Sequence, residues 1–92
     1  ARMKLFTGFD GAILGHSLVW DTSGHRHVRV VYSGPELIEQ LKRDGLSEES
    51  ALEWVDFNME GAYVGPDTPV VMWPAGREEL DEIADNMESA NG

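Results

Sequence analysis

The segment 58–73, which reads NMEGAYVGPDTPVVMW, constrains the fold of this chain more than any other. Gly61 and Gly65 permit backbone conformations with positive φ, and prolines follow them closely. This pattern predicts a helix that ends near Gly61, a rigid turn, and then a short strand. Asn58 and Thr68 flank the turn, where their side chains can satisfy backbone groups that the helix end and the strand start leave free. The segment predicts an architecture but no reaction.

The length of 92 residues suits one small domain, which we expect to cover 1–92 with 88–92 frayed. The hydrophobic content is 41%, with three Trp, three Phe and two Tyr, which is too apolar for a disordered acidic tail. A chain of this size buries only about 60% of its unfolded surface, so its core must be thin. The absence of cysteine excludes disulfides, thiolate zinc sites and cysteine nucleophiles.

The hydropathy pattern favours a soluble protein of the cytoplasm with no membrane partner. No apolar run in the sequence approaches the roughly 20 residues of a membrane-spanning helix. The first residues also lack the apolar stretch of a secretory signal. A chain without cysteine agrees with a reducing compartment.

The charge is distributed unevenly along the chain. Residues 1–43 carry six basic and four acidic side chains, whereas 44–92 carry thirteen acidic side chains and only Arg77 as a base. The net charges of the two parts are therefore +2 and −12, within a total of −10. The acidic part would repel a phosphate backbone, so direct nucleic-acid binding is not expected. It is either a solvated face or a surface for a basic partner.

The first half of the chain predicts a hairpin. Alternating and β-branched residues indicate strands over 12–20 and 28–32, joined as an antiparallel pair by the turn residues 21–24. Apolar residues occupy both faces of the first strand. This pattern predicts that the first strand is central in its sheet.

Two helices follow the hairpin. Ser33 as the N-cap and Pro35 at the first helical position predict a helix that ends at Gly45. Ser47 is the predicted N-cap of the second helix. Their apolar stripes are predicted to comprise Leu37, Ile38 and Leu41 in the first helix, and Leu52, Val55, Met59 and Ala62, widened by Trp54 and Phe57, in the second.

The remaining elements are a third strand over 68–73 and a C-terminal helix over 77–88. Pro69 and Pro74 bound the strand, which suits an edge position. The helix is amphipathic, with its apolar residues at Leu80, Ile83, Ala84 and Met87. The predicted fold is therefore α+β in the order ββααβα, with a small antiparallel or mixed three-stranded sheet packed by a helical hairpin.

The helical hairpin has the outline of a DNA-binding helix-turn-helix, but its charge argues against that function. A recognition helix approaches phosphates and needs basic side chains. The second helix instead carries Glu48, Glu49, Glu53, Asp56 and Glu60. We expect a plain helical hairpin that packs on the sheet.

The histidines suggest a metal site without defining one. His25 and His27 lie two residues apart near the predicted hairpin turn, and His16 lies in the first strand. A third ligand would have to come from Asp10 or Asp21, and no spacing typical of a metal site connects them. We expect solvent-facing histidines and no bound metal or cofactor. The sequence also contains no recognisable nucleophile motif, so we predict that the protein is not an enzyme.

Five residues are candidates for a binding site. Asp10 lies between a glycine and an apolar strand, where a carboxylate either braces backbone N–H groups or contacts a ligand. Asn58, Asp67 and Thr68 are expected either to brace the turn or to form a small pocket beside Tyr63. If the pocket exists, Asp10 is expected near it.

Three segments carry a resemblance to a known family. They are 8–15, reading GFDGAILG; 41–47, reading LKRDGLS; and 57–69, reading FNMEGAYVGPDTP. Over about residues 8–72 the chain resembles a family of small uncharacterised proteins encoded by tailed bacteriophages and prophages. The resemblance implies a phage origin and action in the cytoplasm of the infected host cell, and it implies no activity. The Gly34-Pro35 helix start and the acidic C-terminal helix depart from the family pattern.

The leading interpretation is a non-enzymatic phage accessory protein that binds a host or phage protein and forms a homo-oligomer. Its motivation is an aromatic surplus: Trp20, Trp54 and Trp73 exceed the needs of a thin core, so a second copy is expected to cover part of them. One alternative is an acidic mimic of nucleic acid that inhibits a host nuclease or defence complex. The other is a binder of small molecules or nucleotides that uses Asp10 and the region 58–68.

Overall fold

The computed structural model describes residues 3–91 and confirms the predicted α+β class and element order. The strands and helices are β1 (Ile13–Trp20), β2 (Arg26–Ser33), α1 (Gly34–Arg43), α2 (Glu48–Val55), β3 (Val70–Met72) and α3 (Arg77–Asn91). A 3-10 turn, Asp10–Ala12, precedes β1, and a π-helical turn, Asp56–Glu60, extends α2.

The three strands form one mixed sheet in the order β1-β2-β3. β1 and β2 pair antiparallel, with His16 opposite Val30, and β2 and β3 pair parallel, with Tyr32 opposite Val71. The predicted hairpin is confirmed, but the prediction that the first strand is central is wrong. A parallel pair needs a crossover, and α1 and α2 supply it, so β3 takes the second edge of β2 and leaves β1 at the edge of the sheet.

The core lies where β2 meets the two helices of the hairpin. Tyr32 is at its centre with no exposed surface; its ring centroid lies 4.9 Å from that of Phe6, and its hydroxyl accepts the Phe6 N–H at 2.9 Å. Burial raises the pKa of the Tyr32 hydroxyl above its usual value. The buried hydrophobic residues are Ala12, Val30, Tyr32, Leu37, Ile38, Leu41, Ala51, Val55 and Met59.

The starts of α1 and α2 confirm the predicted capping. The Ser33 hydroxyl accepts the Glu36 N–H at 3.2 Å, and the Ser47 hydroxyl accepts the Ser50 N–H at 3.1 Å. Each bond satisfies one of the N–H groups that a helix start leaves without a partner. α1 ends before Gly45, whose φ of +110° is accessible to glycine but strained for other residues.

The second helix differs from its prediction beyond Val55. The π-helical turn keeps Met59 buried, but Phe57 is 85% exposed and Leu52 is 46% exposed, so the predicted places of Phe57 and Leu52 in the apolar stripe are wrong. Phe57 lies two residues after the buried Val55, which places it about 200° around the helix and away from the core. Gly61 ends the turn as predicted but with a φ of −82°, whereas Gly65 does adopt positive φ, at +129°.

The last two elements differ from the prediction in their bounds. β3 is an edge strand, as predicted, but spans only Val70–Met72, with Pro69 and Pro74 outside it. α3 continues to Asn91, and every side chain from Arg77 to Glu88 is exposed. The predicted fraying of 88–92 stays a prediction, and Gly92 lies outside the described residues. No helix in the described part of the chain is long and apolar enough to span a bilayer.

Candidate functional site

Thr68 holds the turn that leads into β3. Its side chain is almost fully buried; its hydroxyl accepts the Val64 N–H at 2.9 Å and donates to the Gly65 carbonyl at 2.7 Å. The Thr68 N–H also donates to the Gly65 carbonyl, at 3.1 Å. These three bonds close the turn around the positive φ of Gly65, which is the bracing role that the sequence offered as one alternative.

Two basic side chains attach this turn to the rest of the molecule. Arg29 donates from Nε to the Thr68 carbonyl at 2.6 Å, which connects the turn to β2. Lys4 donates from Nζ to the Val64 carbonyl at 3.1 Å and lies 3.9 Å from the Asp67 carboxylate. The turn is therefore fixed from both the sheet and the N-terminal segment.

A cleft of about 340 Å³ lies between this turn and the end of the β1–β2 hairpin. Tyr63 lines it from the turn, and Trp20, Asp21 and Arg29 line it from the hairpin. The lining thus combines two aromatic side chains with a guanidinium and a carboxylate. Arg29 is the one charged residue inside the β-branched run 28–32. A charged residue in an otherwise uncharged strand pattern was the sequence signal that identifies Arg29 as a lining residue of the cleft.

The structure places the five predicted site residues in three different locations. Tyr63, Asp67 and Thr68 share the turn, but only Tyr63 lines the cleft. Asn58 donates its side-chain amide to the Trp54 carbonyl at 3.0 Å, inside its own helical segment. Asp10 is exposed in the 3-10 turn and does not line the cleft. A binding role for these five residues stays a prediction.

Asp21 has the most perturbed carboxylate near the cleft. Its Oδ2 lies 2.7 Å from His27 Nε2, and its Oδ1 accepts the N–H groups of Ser23 and His25 at 2.9 Å each. The hydrogen bond with His27, aided by these N–H groups, lowers the pKa of Asp21 to about 2. A general base works best with a pKa near the operating pH, so Asp21 is suited to bracing the hairpin rather than to proton transfer.

The histidines do not assemble with the acids into a metal-binding cluster within residues 3–91. His25 lies 3.9 Å from the Asp21 carboxylate and is mostly exposed, and His16 is exposed in β1. His27 is the histidine in close contact with Asp21.

Among the exposed apolar side chains, two groups lie along single elements outside the core. The first is the α3 stripe, formed by Leu80, Ile83 and Met87, which are 51%, 43% and 63% exposed. The second is the β1 surface, formed by Leu18 and Trp20 on the edge strand, which are 49% and 68% exposed. The Arg26 guanidinium lies 5.6 Å from the centroid of the Trp20 ring.

The overall dimensions agree with these uncovered surfaces. The accessible surface is 6726 Å², whereas a folded monomer of this mass exposes about 5300 Å². The radius of gyration is 14.7 Å, compared with about 12 Å for a compact domain of this length. The chain thus exposes about 1400 Å² more than a self-contained domain would.

Comparisons with known proteins returned no relative: no family model, curated protein or solved structure matches the chain. The resemblance to phage proteins consequently stays a prediction, and the surfaces described above are the basis for inferring function.

Proposed function

We propose that the chain is a non-enzymatic protein-binding module and that α3 is its docking element. The observation that carries the proposal is the α3 stripe, since three large apolar side chains on one helix face are exposed rather than packed on the core. Exposed apolar groups grouped in this way are typical of interaction sites. A partner that covers the stripe would supply the burial that the chain itself does not.

The spacing of the stripe suits a helix that lies in a groove. Leu80, Ile83 and Met87 stand at positions i, i+3 and i+7, the anchor spacing of helices recognised in this way. A helix of 15 residues is about 22 Å long, which is enough to present all three anchors to one groove.

The charges of α3 define the chemistry of its partner. Acidic side chains occupy most positions beside the stripe, namely Glu78, Glu79, Asp81, Glu82, Asp85 and Glu88. Arg77 is the only base of the helix within the described side chains, and its Nε lies 3.2 Å from Asp81. The partner that fits is a protein with an apolar groove whose rim is basic, because opposite charges at the rim accelerate and orient association.

The resemblance to phage proteins supports a setting for this activity, namely the cytoplasm of an infected bacterium, with a host or phage protein as partner. The state of Asp21 supports a role without catalysis, since both oxygens of this carboxylate are engaged in holding the hairpin.

A second candidate function is mimicry of nucleic acid. The observation that favours it is that the acidic side chains of α2 and the π-helical turn, like those of α3, are all exposed. In this case the acids themselves would occupy a basic groove, and the α3 stripe would contribute little. The two functions therefore differ in which side chains of α3 carry the binding free energy.

The test compares two variants of the full chain in capture experiments from bacterial lysate. The stripe variant carries Leu80→Gln, Ile83→Gln and Met87→Gln, and the acid variant carries Glu79→Gln, Glu82→Gln and Asp85→Asn. Leu52→Gln is the matched control, because Leu52 is similarly exposed, at 46%, but lies on α2. Far-UV circular dichroism verifies that each variant keeps its helices.

We expect a protein captured by the unmodified chain to bind the stripe variant at least about tenfold more weakly. The same protein should bind the Leu52→Gln control as strongly as it binds the unmodified chain. Its capture should also survive about 0.5 M salt, since apolar contacts are not screened. Loss of capture with the acid variant and at high salt, but not with the stripe variant, would establish mimicry instead. Equal capture by all variants would refute α3 as the docking element.

A further inference from the structure

Apart from a register shift between Ile13 and Gly15 at its start, β1 lacks the features that normally protect an edge strand. Edge strands commonly avoid further pairing through charged side chains, proline or short length. β1 has eight residues, reads ILGHSLVW, and contains neither proline nor a residue of fixed charge. The opposite edge strand, β3, has three residues with Pro69 before it and Pro74 nearby after it. One edge of the sheet is thus protected, and the other is open.

The hydrogen-bond pattern of the hairpin identifies the residues that present backbone groups to the open edge. Asp21 donates its N–H to the His25 carbonyl at 2.9 Å, so this pair belongs to the hydrogen-bonded class. Hydrogen-bonded and non-hydrogen-bonded pairs alternate along an antiparallel ladder. The non-hydrogen-bonded pairs contain His16, Leu18 and Trp20 of β1. The backbone N–H and carbonyl groups of these three residues therefore point away from β2.

The side chains beside these groups are apolar and uncovered. Leu18 pairs with Val28 and His16 with Val30, so the β1 surface is on the same face of the sheet as the core residue Val30. The core itself is confined to the Tyr32 end of this face, which leaves Leu18 and Trp20 exposed at the other end. A strand added at this edge would cover Leu18 and Trp20. It would also form hydrogen bonds with the N–H and carbonyl groups of β1 that point away from β2.

The charge distribution selects this edge for self-association. With a net charge of −10, two copies repel each other through their acidic helices. β1 has no fixed charge, and β2 beside it carries Arg26 and Arg29. The hairpin is therefore a part of the surface that a second copy can approach without repulsion between acidic helices.

The exposed residues of β1 offer contact area for a dimer. Seven of its eight residues are exposed, and the large apolar ones are Ile13, Leu14, Leu18 and Trp20. The excess surface of about 1400 Å² belongs to the whole chain and includes α3, so only part of it lies at β1. A contact through β1 leaves α3 accessible.

We infer that β1 pairs antiparallel with β1 of a second copy around a two-fold axis, so that two three-stranded sheets join into one sheet of six strands. A two-fold axis makes the contact self-complementary, with residues drawn from His16, Leu18 and Trp20 bonded to the same set in the partner. This inference concerns a surface distinct from the α3 stripe and does not depend on the proposed function.

The first experiment measures the solution mass by sedimentation equilibrium between about 1 and 100 µM, where a standard interface would be populated. The unmodified chain should reach twice the monomer mass. Leu18→Lys places a charge on the edge and should weaken dimerisation at least about tenfold. Leu80→Lys on α3 is the matched control, since it alters a residue of equal size and similar exposure, and it should leave the dimer intact.

A monomer throughout this range, or equal dimerisation of Leu18→Lys and the unmodified chain, would overturn the inference. Dissociation by Leu80→Lys alone would assign the dimer contact to α3 and also contradict it. Circular dichroism of Leu18→Lys distinguishes loss of the dimer from loss of the fold.

A second experiment uses the absence of native cysteine to determine the register. Five variants, His16→Cys, Ser17→Cys, Leu18→Cys, Val19→Cys and Trp20→Cys, place one thiol each along the part of β1 through which the two-fold axis would pass. Ser50→Cys is the control, because Ser50 is exposed on α2. At least one β1 variant should form a disulfide-linked dimer about tenfold faster than the control, because the paired strands bring its two thiols within the Cα separation that a disulfide tolerates. If none exceeds the control, the strands do not pair.

Discussion

α1 and α3 carry similar amphipathic patterns and occupy opposite environments. Leu37, Ile38 and Leu41 of α1 are at most 5% exposed, whereas Leu80 and Ile83 of α3 are 51% and 43% exposed. The periodicity of apolar residues predicted both helices correctly. It did not distinguish the helix that builds the core from the helix that remains uncovered.

The connections to the sheet explain the difference. α1 begins at the residue after the central strand β2, and Ser33 is both the last residue of that strand and the N-cap of the helix. Such a direct junction keeps α1 against the strand that it follows. α3 instead follows the edge strand β3 after the segment 73–76, which contains a proline and a glycine. The helix that follows the central strand directly thus has a buried apolar face, whereas the helix that follows the edge strand has an exposed one.

The largest expected effect comes from truncating equivalent leucines in the two helices. Leu37→Ala removes a fully buried side chain and should lower the free energy of unfolding by about 2 to 5 kcal/mol. Leu80→Ala should change it by no more than about 0.5 kcal/mol, because its side chain is half exposed. Urea denaturation of both variants measures the difference, at a protein concentration below any dimerisation. Equal losses would show that α3 is packed on the domain in solution.

The junction of β2 and α1 provides the next test. Gly34 is buried, and a Cβ added there would lie 2.5 Å from atoms of the Trp73 ring. Gly34→Ala should therefore displace the ring and destabilise the fold by about 1 to 3 kcal/mol. Displacement of the ring would also lengthen the hydrogen bond that Trp73 Nε1 donates to the Glu60 carboxylate, which is 2.5 Å long in the unmodified chain. The tryptophan fluorescence of the folded variant should therefore differ from that of the unmodified chain. Gly76→Ala, with open space at the start of α3, is the control and should retain the native fluorescence and nearly the native stability.

The turn before β3 lies between the helical hairpin, which contributes to the core, and the exposed helix α3. Thr68→Val keeps the shape of the side chain but removes the hydroxyl that bonds the Val64 N–H and the Gly65 carbonyl. We expect a loss of about 1 to 3 kcal/mol, because the Val64 N–H is left without its partner in a partly buried site. Thermal unfolding followed by circular dichroism measures it, with Thr68→Ser as the variant that retains the hydroxyl. A Thr68→Val protein as stable as the unmodified chain would show that the turn needs no bracing.

The smallest effect concerns Asp21, in the exposed hairpin. Because the pKa of Asp21 is lowered from 3.8 to about 2 on folding, its carboxylate stabilises the fold above pH 3.8, and this contribution is lost as the pH falls towards 2. The stability difference between the unmodified chain and Asp21→Asn should therefore shrink across that window. Carboxyl chemical shifts in an NMR titration report the midpoint directly. A midpoint near 3.8 would mean that the hydrogen bond with His27 does not persist in solution.

Local patterns predicted the helices and their caps well. Ser33 and Ser47 cap the helices as expected, because a cap depends on residues within one turn. The strand positions were also predicted, although β2 is longer and β3 shorter than expected. The order of strands was not, because the pairing of β3 with β2 joins residues about 40 positions apart. The apolar residues on both faces of β1 indicated exposed surfaces rather than a central position.

The candidate site could be predicted only in part. The turn around Thr68 follows from its own glycines and hydroxyl, so the sequence located it and offered bracing as one of two roles. The cleft beside Tyr63 joins that turn to the hairpin, and its partners Trp20 and Arg29 come from strands that no local pattern connects to it. Asn58 was expected near it because it precedes the turn in sequence, and Asp10 because it lies between a glycine and an apolar strand. Neither residue lines the cleft.

The sequence by itself determined the α+β class, the element order, the helix caps and the acidity of the C-terminal half, since each depends on composition or on residues within a few positions. The tertiary structure decided which amphipathic elements are covered. It places β2 at the centre of the sheet and leaves β1 and α3 uncovered, because coverage depends on how distant segments pack together and not on the pattern of any one of them.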